Sequence, residues 1–509
     1  MPLQELVLCA TQPSSSSSGP GTISLHDIQT GTTLASFKQT SAALHSTAVV
    51  NTSNGQGGFM LAVQSDKAIM NVYHFQKDQL AQKIVLPEKI SCIAVDPKGT
   101  YCAGGTSQGR IYLWEVASGI MYNAWDAHYR QIKVLRFTQD GAALLSGSED
   151  SGVGVWAMSK LLDDTLQNDL PTPHLLLSDH TLPITDIVCG VGQFPKCRVL
   201  TSSLDHSVKA WDLYTGSLLT TFQFPRPISC LAWDVTERVF FAGSPDGSIH
   251  QVNLFKQRDD KLNGVLEAVG GGGATDVIRM TDEEQQATKR RLISVGQPIT
   301  TIAISMSSSL LLVGAASGII YCYDIASHQL LRNISTHKGF SITHLITMLK
   351  PPDLVGHVSL NLSVSNAADS RETIPVRPVA TFHRVRDPKS REAHEVTMLL
   401  PPSTSKKPEA FFSYDTEEML RDYSVFVQAP NSGGQVSGTS LQSRVIELET
   451  EVQKLRDQLA KAKGINDTMW DTVVRKVIQE GKGKGMDGGD LAMDVDENGS
   501  SGRIRDRGR

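Results

Sequence analysis

The sequence predicts an all-β fold, a closed propeller of seven blades over residues 1–350, followed by an α-helical coiled-coil segment and a disordered tail. Three observations predict it. Units of short apolar strands recur at the spacing of a propeller blade, about 40–45 residues. Each unit closes on an aromatic residue or a substitute for one. From residue 441 the strand pattern gives way to the 4-3 apolar alternation of a heptad helix.

The fullest unit runs from Ala127 to Trp156, and the next copy from Asp179 to Leu213. Each has a β-branched run, a turn, a run ending in small residues, an Asp-containing turn and a third run closing on Trp. The closing markers are His26, Tyr73, Trp114, Trp156, Trp211, Val252 and Tyr323, most of them 41 to 47 residues apart. The intervals before Trp211 and Tyr323 are 55 and 71 residues, so insertions are expected near 157–173 and at 255–290. Both stretches are polar and loop-like, where extra chain is tolerated.

The individual strands follow the same spacing. The third unit shows runs at 90–95, 100–105, 110–116 and 121–127, divided by Asp-Pro-Lys-Gly, Ser-Gln-Gly and Ala-Ser-Gly turns. The first unit has room for only three strands, at 5–11, 22–28 and 32–38. Its missing innermost strand is expected from SITHLITML, 341–349, which would tie the two ends of the ring together and leave no open sheet edge.

This repeat resembles the WD40 family over roughly residues 1–350. In that family a His, a Ser or Thr, an Asp and a Trp share a buried hydrogen-bond network. The resemblance assigns those roles to His128, Ser148, Asp150 and Trp156 in one blade and to His180, Ser203, Asp205 and Trp211 in the next. The same residue types could form a hydrolase triad. A nucleophile occurs once per active site, however, whereas this set recurs with the blade, which favours a structural network. The second unit keeps Asp66 but has Tyr73 for Trp and no matching His, and the sixth keeps Asp246 with Val252. Those blades are expected to depend on apolar packing and to be the less rigid ones.

Signatures of catalysis and cofactor binding are missing. The chain has no phosphate-binding GxxxxGK[ST], GxSxG, HExxH or strand-to-helix GxGxxG, and GKGKG at 481–485 lies in a polar tail without a preceding strand. The seven cysteines are scattered without a CxxC pair, which reads as buried reduced thiols, and the ligand spacing of zinc sites is not present. No enzyme, cofactor or metal is therefore expected. Glu5 stands where a signal peptide would carry basic charge, and the longest apolar run, 310–323, is too short and too interrupted to span a bilayer.

The balance of 48 Lys and Arg against 53 Asp and Glu gives a net charge of −5, which argues against a general polycationic mode of binding nucleic acid or membrane surfaces. Residues 351–440 read as an irregular extension with possible extra strands, VATFHRV and HEVTMLL. Within it, Arg377, Arg384, Arg386, Lys389 and Arg391 form a local basic run. It fits either a contact to RNA, phosphate or an import receptor, or a solvated loop or added strand on the propeller.

Residues 441–480 carry the assembly signal. Leu441, Val445, Leu448, Val452, Leu455 and Leu459 fall on a and d positions, with β-branched residues at a and Leu at d, the pattern of a parallel two-stranded coiled coil. Arg444 opposite Glu449 and Glu451 opposite Arg456 would attract across a homodimer through 441–463, although docking on another subunit fits the same stripe. Gly464 is expected to end this helix, with Asn466 or Asp467 capping a second one that bears Met469, Trp470, Val473, Val474, Val477 and Ile478. The tail, 481–509, splits into an acidic block and a basic end and is expected to be disordered.

Three stretches are more specific. HTLPITDIVCG (180–190), RVLTSSLDHSVKAWDLYTGSLL (198–219) and FFAGSPDGSIHQVNLF (240–255), followed by the insertion and the heptad helix, resemble the pre-rRNA-processing WD-repeat subunits of the IPI type. The Ser-rich TQPSSSSSGPG turn and the tail depart from that family. The resemblance implies a non-catalytic scaffold in the nucleus, in nucleoplasm and nucleolus. Its implied partners are a large helical-repeat subunit, a HEAT-like subunit, the pre-ribosome and an AAA-type remodelling ATPase. It also implies a part in removal of the second internal transcribed spacer and a link to chromatin and replication licensing. Direct RNA contact stays open. The competing class is a WD40 substrate receptor of a ubiquitin ligase, with a hydrolase more distant.

Overall fold

The computed structural model describes residues 4–13, 19–40, 42–53, 56–64, 66–163, 170–257, 266–270, 276–280, 292–354, 376–385 and 438–482. The chain divides into two units, Met1–Pro402 and Ser403–Arg509.

In the first unit the short apolar runs form antiparallel meanders, because the turns, most of them three to five residues long, return the chain beside the strand it has just left. Seven such sheets make a seven-bladed propeller. Blade 1 has, from the inside outward, Phe340–Leu349, Glu5–Pro13, Gly21–Asp27 and Thr33–Thr40. Its inner strand therefore comes from the far end of the ring, as the sequence predicts. Glu5 pairs with Leu349 and Pro13 with Phe340, with one register shift at Ala10 and Thr11. Blade 2 begins at Thr47–Val50, blade 3 at Ile90–Val95, blade 4 at Ile132–Phe137, blade 5 at Ile184–Cys189, blade 6 at Cys230–Trp233 and blade 7 at Ile299–Ile304.

The core is distributed between the blades. Among the described residues, seven apolar clusters each draw on two neighbouring blades, closing with Val7 and Cys9 of blade 1 against Leu312, Ile320 and Cys322 of blade 7. Strand alternation produces this: successive side chains point to opposite faces, and both faces of every blade meet a neighbour.

Both insertions carry secondary structure of their own. The 255–290 region includes a hairpin, Phe255–Gln257 with Leu266–Ala268, and a strand, Val277–Arg279, that pairs in parallel with the outer strand Ser217–Gln223 of blade 5. The chain then supplies Leu292–Ser294 as the outer strand of blade 6. The long marker interval thus reflects a detour across the rim of the preceding blade. In the 157–173 region, Met158–Leu161 forms a short helix.

Residues 376–385 lie against blades 2 and 3. Arg384–Val385 pairs in parallel with the outer strand of blade 3 at Ile120 and Met121. Phe382 is buried and stacks on Trp114 at 5.1 Å between ring centroids. Arg377 is also buried, donating to the Lys98 carbonyl (2.6 Å) and Ser53 Oγ (3.2 Å) with its guanidinium over the Phe59 ring. Arg377, read from sequence as part of a basic patch, is therefore spent inside the propeller. The segment HEVTMLL and the tail from 483 lie outside the described residues.

Phe382→Ala is expected to lower the unfolding free energy of the propeller by about 3 kcal/mol, the usual cost of truncating a buried Phe. Denaturant titration with Trp fluorescence reads it, with Trp114 emission shifting to the red as its cover is lost.

Candidate functional site

The polar residues of blades 4 and 5 form two matching chains. In blade 4, Trp156 Nε1 donates to Ser146 Oγ (2.9 Å), Ser146 lies 2.8 Å from His128 Nε2, and His128 Nδ1 lies 3.1 Å from Asp150 Oδ2. In blade 5, Trp211 Nε1 donates to Thr201 Oγ1 (2.8 Å), which is 2.8 Å from His180 Nε2, and His180 Nδ1 is 2.9 Å from Asp205 Oδ2. Each chain joins the loop entering the blade to its second and third strands.

Six of the eight residues assigned by resemblance are brought together, and two are not. Ser148 and Ser203 hydrogen-bond to backbone groups rather than to the Trp or the His. Ser148 Oγ donates to the Arg130 carbonyl and accepts from the Asp150 amide, both at 3.2 Å; Ser203 does the same with Leu182 (2.8 Å) and Asp205 (3.2 Å). The physical reason is register. Trp156 stands opposite Leu144 and Trp211 opposite Val199, so the hydroxyl beside each indole is one alternation period further on, at 146 and 201. Ser148 and Ser203 end their strands and fasten the turn that presents the Asp. Counting ten residues back from each Trp would have found the right pair.

Burial opposes ionisation of Asp150, but the His128 hydrogen bond and charge and the amides of Gly152 and Tyr129 outweigh it and hold the carboxyl at about 2. Asp205 is likewise held well below the usual carboxylate range: burial opposes ionisation, and the His180 hydrogen bond and charge with Ser207 and the Thr181 amide overcome it. Ser146 and Thr201 are 0% exposed, so neither hydroxyl is open to a substrate. The arrangement is a bracing network rather than a nucleophile and its base.

The remaining blades show what replaces it. In blade 3 the hydroxyl position is Gly104, and the Trp114 indole nitrogen is buried without a hydrogen-bond partner while its ring stacks between Tyr112 and Phe382. In blade 2 the Tyr73 hydroxyl donates to the Lys38 carbonyl (3.2 Å). In blade 6 Arg226 pairs with Asp246 at 3.0 Å in place of a His. Blade 1 carries a third, altered version. Val7 stands opposite His26, so His26 takes the Trp position and Cys9 the hydroxyl position, while His337 precedes the inner strand as His128 does in blade 4. Cys9 Sγ and His26 Nε2 lie 3.3 and 2.8 Å from His337 Nε2. Sequence spacing did not show this cluster, because 311 residues separate His26 from His337. The one available signal was His26 itself, at a marker position.

Around the propeller axis, a cavity of about 620 Å³ is lined by loop and inner-strand residues from several blades, among them His45, Lys89, Gln131, Lys133 and Glu149. Deeper in, Arg136 and Asp186 face each other at 3.5 Å, and Asp186 also accepts from the Leu231 amide (3.0 Å). Among the described residues the channel wall is thus of mixed charge.

Among the described residues of the second unit, Gly438–Lys482 is one continuous helix of 45 residues. This corrects the expectation of two helices broken at Gly464. A glycine inside a helix costs only about 1 kcal/mol against Ala, less than ending one long helix and nucleating another. In the heptad frame of Val445, Val452 and Leu459, Gly464 falls at the outward f position, and the uninterrupted helix brings Asn466 to an a position. Leu441, Val445 and Val477 lie on this helix. Leu448, Val452, Leu455, Leu459, Met469, Trp470, Val473 and Val474 are all exposed, forming a long apolar stripe on one element.

Comparison with known proteins agrees with this architecture. The family model described as "WD domain, G-beta repeat" matches residues 216–252. The chain is 33% identical to Pre-rRNA-processing protein IPI3 of Mycosarcoma maydis, over 85% of this chain and 89% of that protein. It is 31% identical to Pre-rRNA-processing protein crb3/ipi3 of Schizosaccharomyces pombe (62% and 72%) and 29% identical to human WD repeat-containing protein 18 (90% and 95%).

Two outcomes follow for the bracing network. Ser146→Ala should cost about 1–3 kcal/mol, because Trp156 and His128 both lose their buried partner, and should move the Trp156 indole N–H resonance. Ser148→Ala should leave that resonance in place. Because the folded-state pKa of Asp150 is depressed, its stabilisation is complete above the unfolded value near 4 and is lost as pH falls from about 4 toward 2. Asp150→Asn should flatten the acid limb of a pH–stability curve in that window.

Proposed function

The chain belongs to the WD-repeat family of pre-rRNA-processing proteins that includes IPI3 and WD repeat-containing protein 18, and on that footing we propose that it is a non-catalytic scaffold for pre-rRNA processing and large-subunit maturation in the nucleus. The observation that carries this reading is the pairing of a closed propeller with a long helix whose apolar stripe is unpartnered. A propeller braced by buried hydrogen bonds offers several rigid surfaces, and the helix offers a site of assembly.

The partners we propose are the large helical-repeat subunit and the HEAT-like subunit of one complex, which together present the pre-ribosome to an AAA-type ATPase during removal of the second internal transcribed spacer. The helix is proposed to homodimerise in parallel. An Asn at an a position selects one register and a two-stranded state at some cost in stability, and Asn466 meets that requirement. Two copies joined in this way would hold two sets of partners together, so that avidity strengthens individually modest contacts. The mixed charge of the axial cavity and the internal use of Arg377 favour protein rather than RNA as the main ligand of the propeller.

Leu448→Asp combined with Leu455→Asp should leave the propeller folded by circular dichroism, halve the solution mass and abolish co-purification of the partner subunits. An unchanged mass together with unchanged partners would overturn the role given to the helix. Recovery of ubiquitin-ligase components in place of ribosome-assembly proteins would overturn the scaffold assignment itself.

A further inference from the structure

Among the described residues, one group of His, Cys, Asp and Glu side chains converges closely enough to hold a metal ion. Cys9 Sγ, His26 Nε2 and His337 Nε2 all lie within 4.8 Å of one another, and all three residues are buried. They occupy the hydroxyl, Trp and His positions of the bracing network in blade 1.

Three features distinguish this cluster from the chains in blades 4 and 5. Those chains end on a carboxylate that accepts from the histidine, whereas blade 1 has no Asp or Glu between Leu6 and His26 to do so. In place of a donor-only indole and a hydroxyl, blade 1 aims two imidazole nitrogens and a sulfur at one point. Finally, the second nitrogen of His26 is already engaged, with Nδ1 3.2 Å from Thr33 Oγ1. That contact fixes the ring with Nε2 turned toward Cys9 and His337, as outer partners do at metal sites.

We propose that Cys9, His26 and His337 bind a thiophilic d¹⁰ metal ion, Zn(II) or Cu(I), that clasps the propeller where its two ends meet. The observed separations of 3.3 Å (S to N) and 2.8 Å (N to N) are close to the 3.3–3.6 Å or so between ligands sharing an ion at bond lengths of about 2.0–2.3 Å. Small rotations of the two rings supply the difference. Binding replaces the thiol proton by the metal and releases that proton to solvent; the ring that donates from Nε2 in the 2.8 Å His26–His337 contact moves its proton to Nδ1, so that both imidazoles bind through a bare Nε2. Burial holds the free Cys9 thiol up at about 12 and His26 down at about 4. Burial lowers His337 as well, so both imidazoles are neutral, and the thiolate requires the cation. One thiolate with Cu(I) gives a charge-neutral, three-coordinate site. Zn(II) leaves one positive charge and takes a fourth donor.

The position explains what the ion would do. His337 leads directly into the inner strand Phe340–Leu349, while Cys9 and His26 sit on the two N-terminal strands beside it. The loop is held tightly: Gly318 has φ +83, and a Cβ there would lie 1.8 Å from the His337 carbonyl. A bond from His337 to Cys9 closes a loop of more than three hundred residues, adding a cross-link to strand pairing that is otherwise non-covalent.

The test uses the full-length protein, purified under reducing conditions and stripped with a chelator. It is then titrated with Zn(II), and separately with Cu(I) under anaerobic conditions, with metal counted by mass spectrometry and unfolding followed by scanning calorimetry. One equivalent of one of these ions should be retained against a competing chelator, should raise the unfolding temperature by several degrees and should show one sulfur ligand by X-ray absorption; the ion that does so identifies the site. Cys9→Ser and His26→Gln should abolish both retention and the shift, while His128→Gln should retain both. Failure of the wild-type protein to hold either ion, or retention without a sulfur ligand, would overturn the proposal even if a variant failed to fold.

Discussion

The pairing of Glu5–Pro13 with Phe340–Leu349 is the constraint on which the rest of the propeller depends. Each blade buries its two faces only against neighbours, so an open ring would expose one apolar face on each terminal blade and a free strand edge between them. Nine register pairs join strands more than three hundred residues apart, and the loop entropy of that closure is met once for the whole ring. With the ring closed, every blade gains a neighbour on each side, and seven interblade cores replace a single central one.

Polar chemistry then divides the blades into kinds. Blades 4 and 5 satisfy a buried indole, hydroxyl and imidazole in series and end on a carboxylate that solvent still reaches. Blade 3 gives up the hydroxyl at Gly104 and covers its Trp with Phe382 from a distant part of the chain. Blade 6 exchanges imidazole for guanidinium at Arg226. Blade 1 turns the same three positions into a sulfur and two ring nitrogens at the seam. One backbone geometry thus accepts several chemistries, because register fixes where the three side chains meet and leaves their identity free.

The second unit follows another rule. Its helix has apolar residues on one stripe and charged residues around the remainder, and a single helix cannot bury that stripe within itself. The stripe is exposed along the helix, which is what the proposed role in assembly requires. Continuity through Gly464 matters because it extends one heptad frame over the whole element and puts Met469 and Val473 in phase with Val445 and Leu448.

The sequence by itself determined the number of blades, the strands of the first and third blades, the donation of the closing strand and the heptad stripe. Each of these is a periodicity, and periods of 2, 3.5 and about 42 survive in a one-dimensional string. The tertiary structure alone decided which hydroxyl meets each Trp, that Arg377 is buried, and that Cys9, His26 and His337 converge. Those facts depend on strand register, on a segment returning from residue 376 to cover blade 3, and on contacts across three hundred residues. The first is a local ten-residue offset that strand register explains once the pairing is seen; the burial of Arg377 and the convergence at the seam have no local spacing, because their partners lie hundreds of residues away.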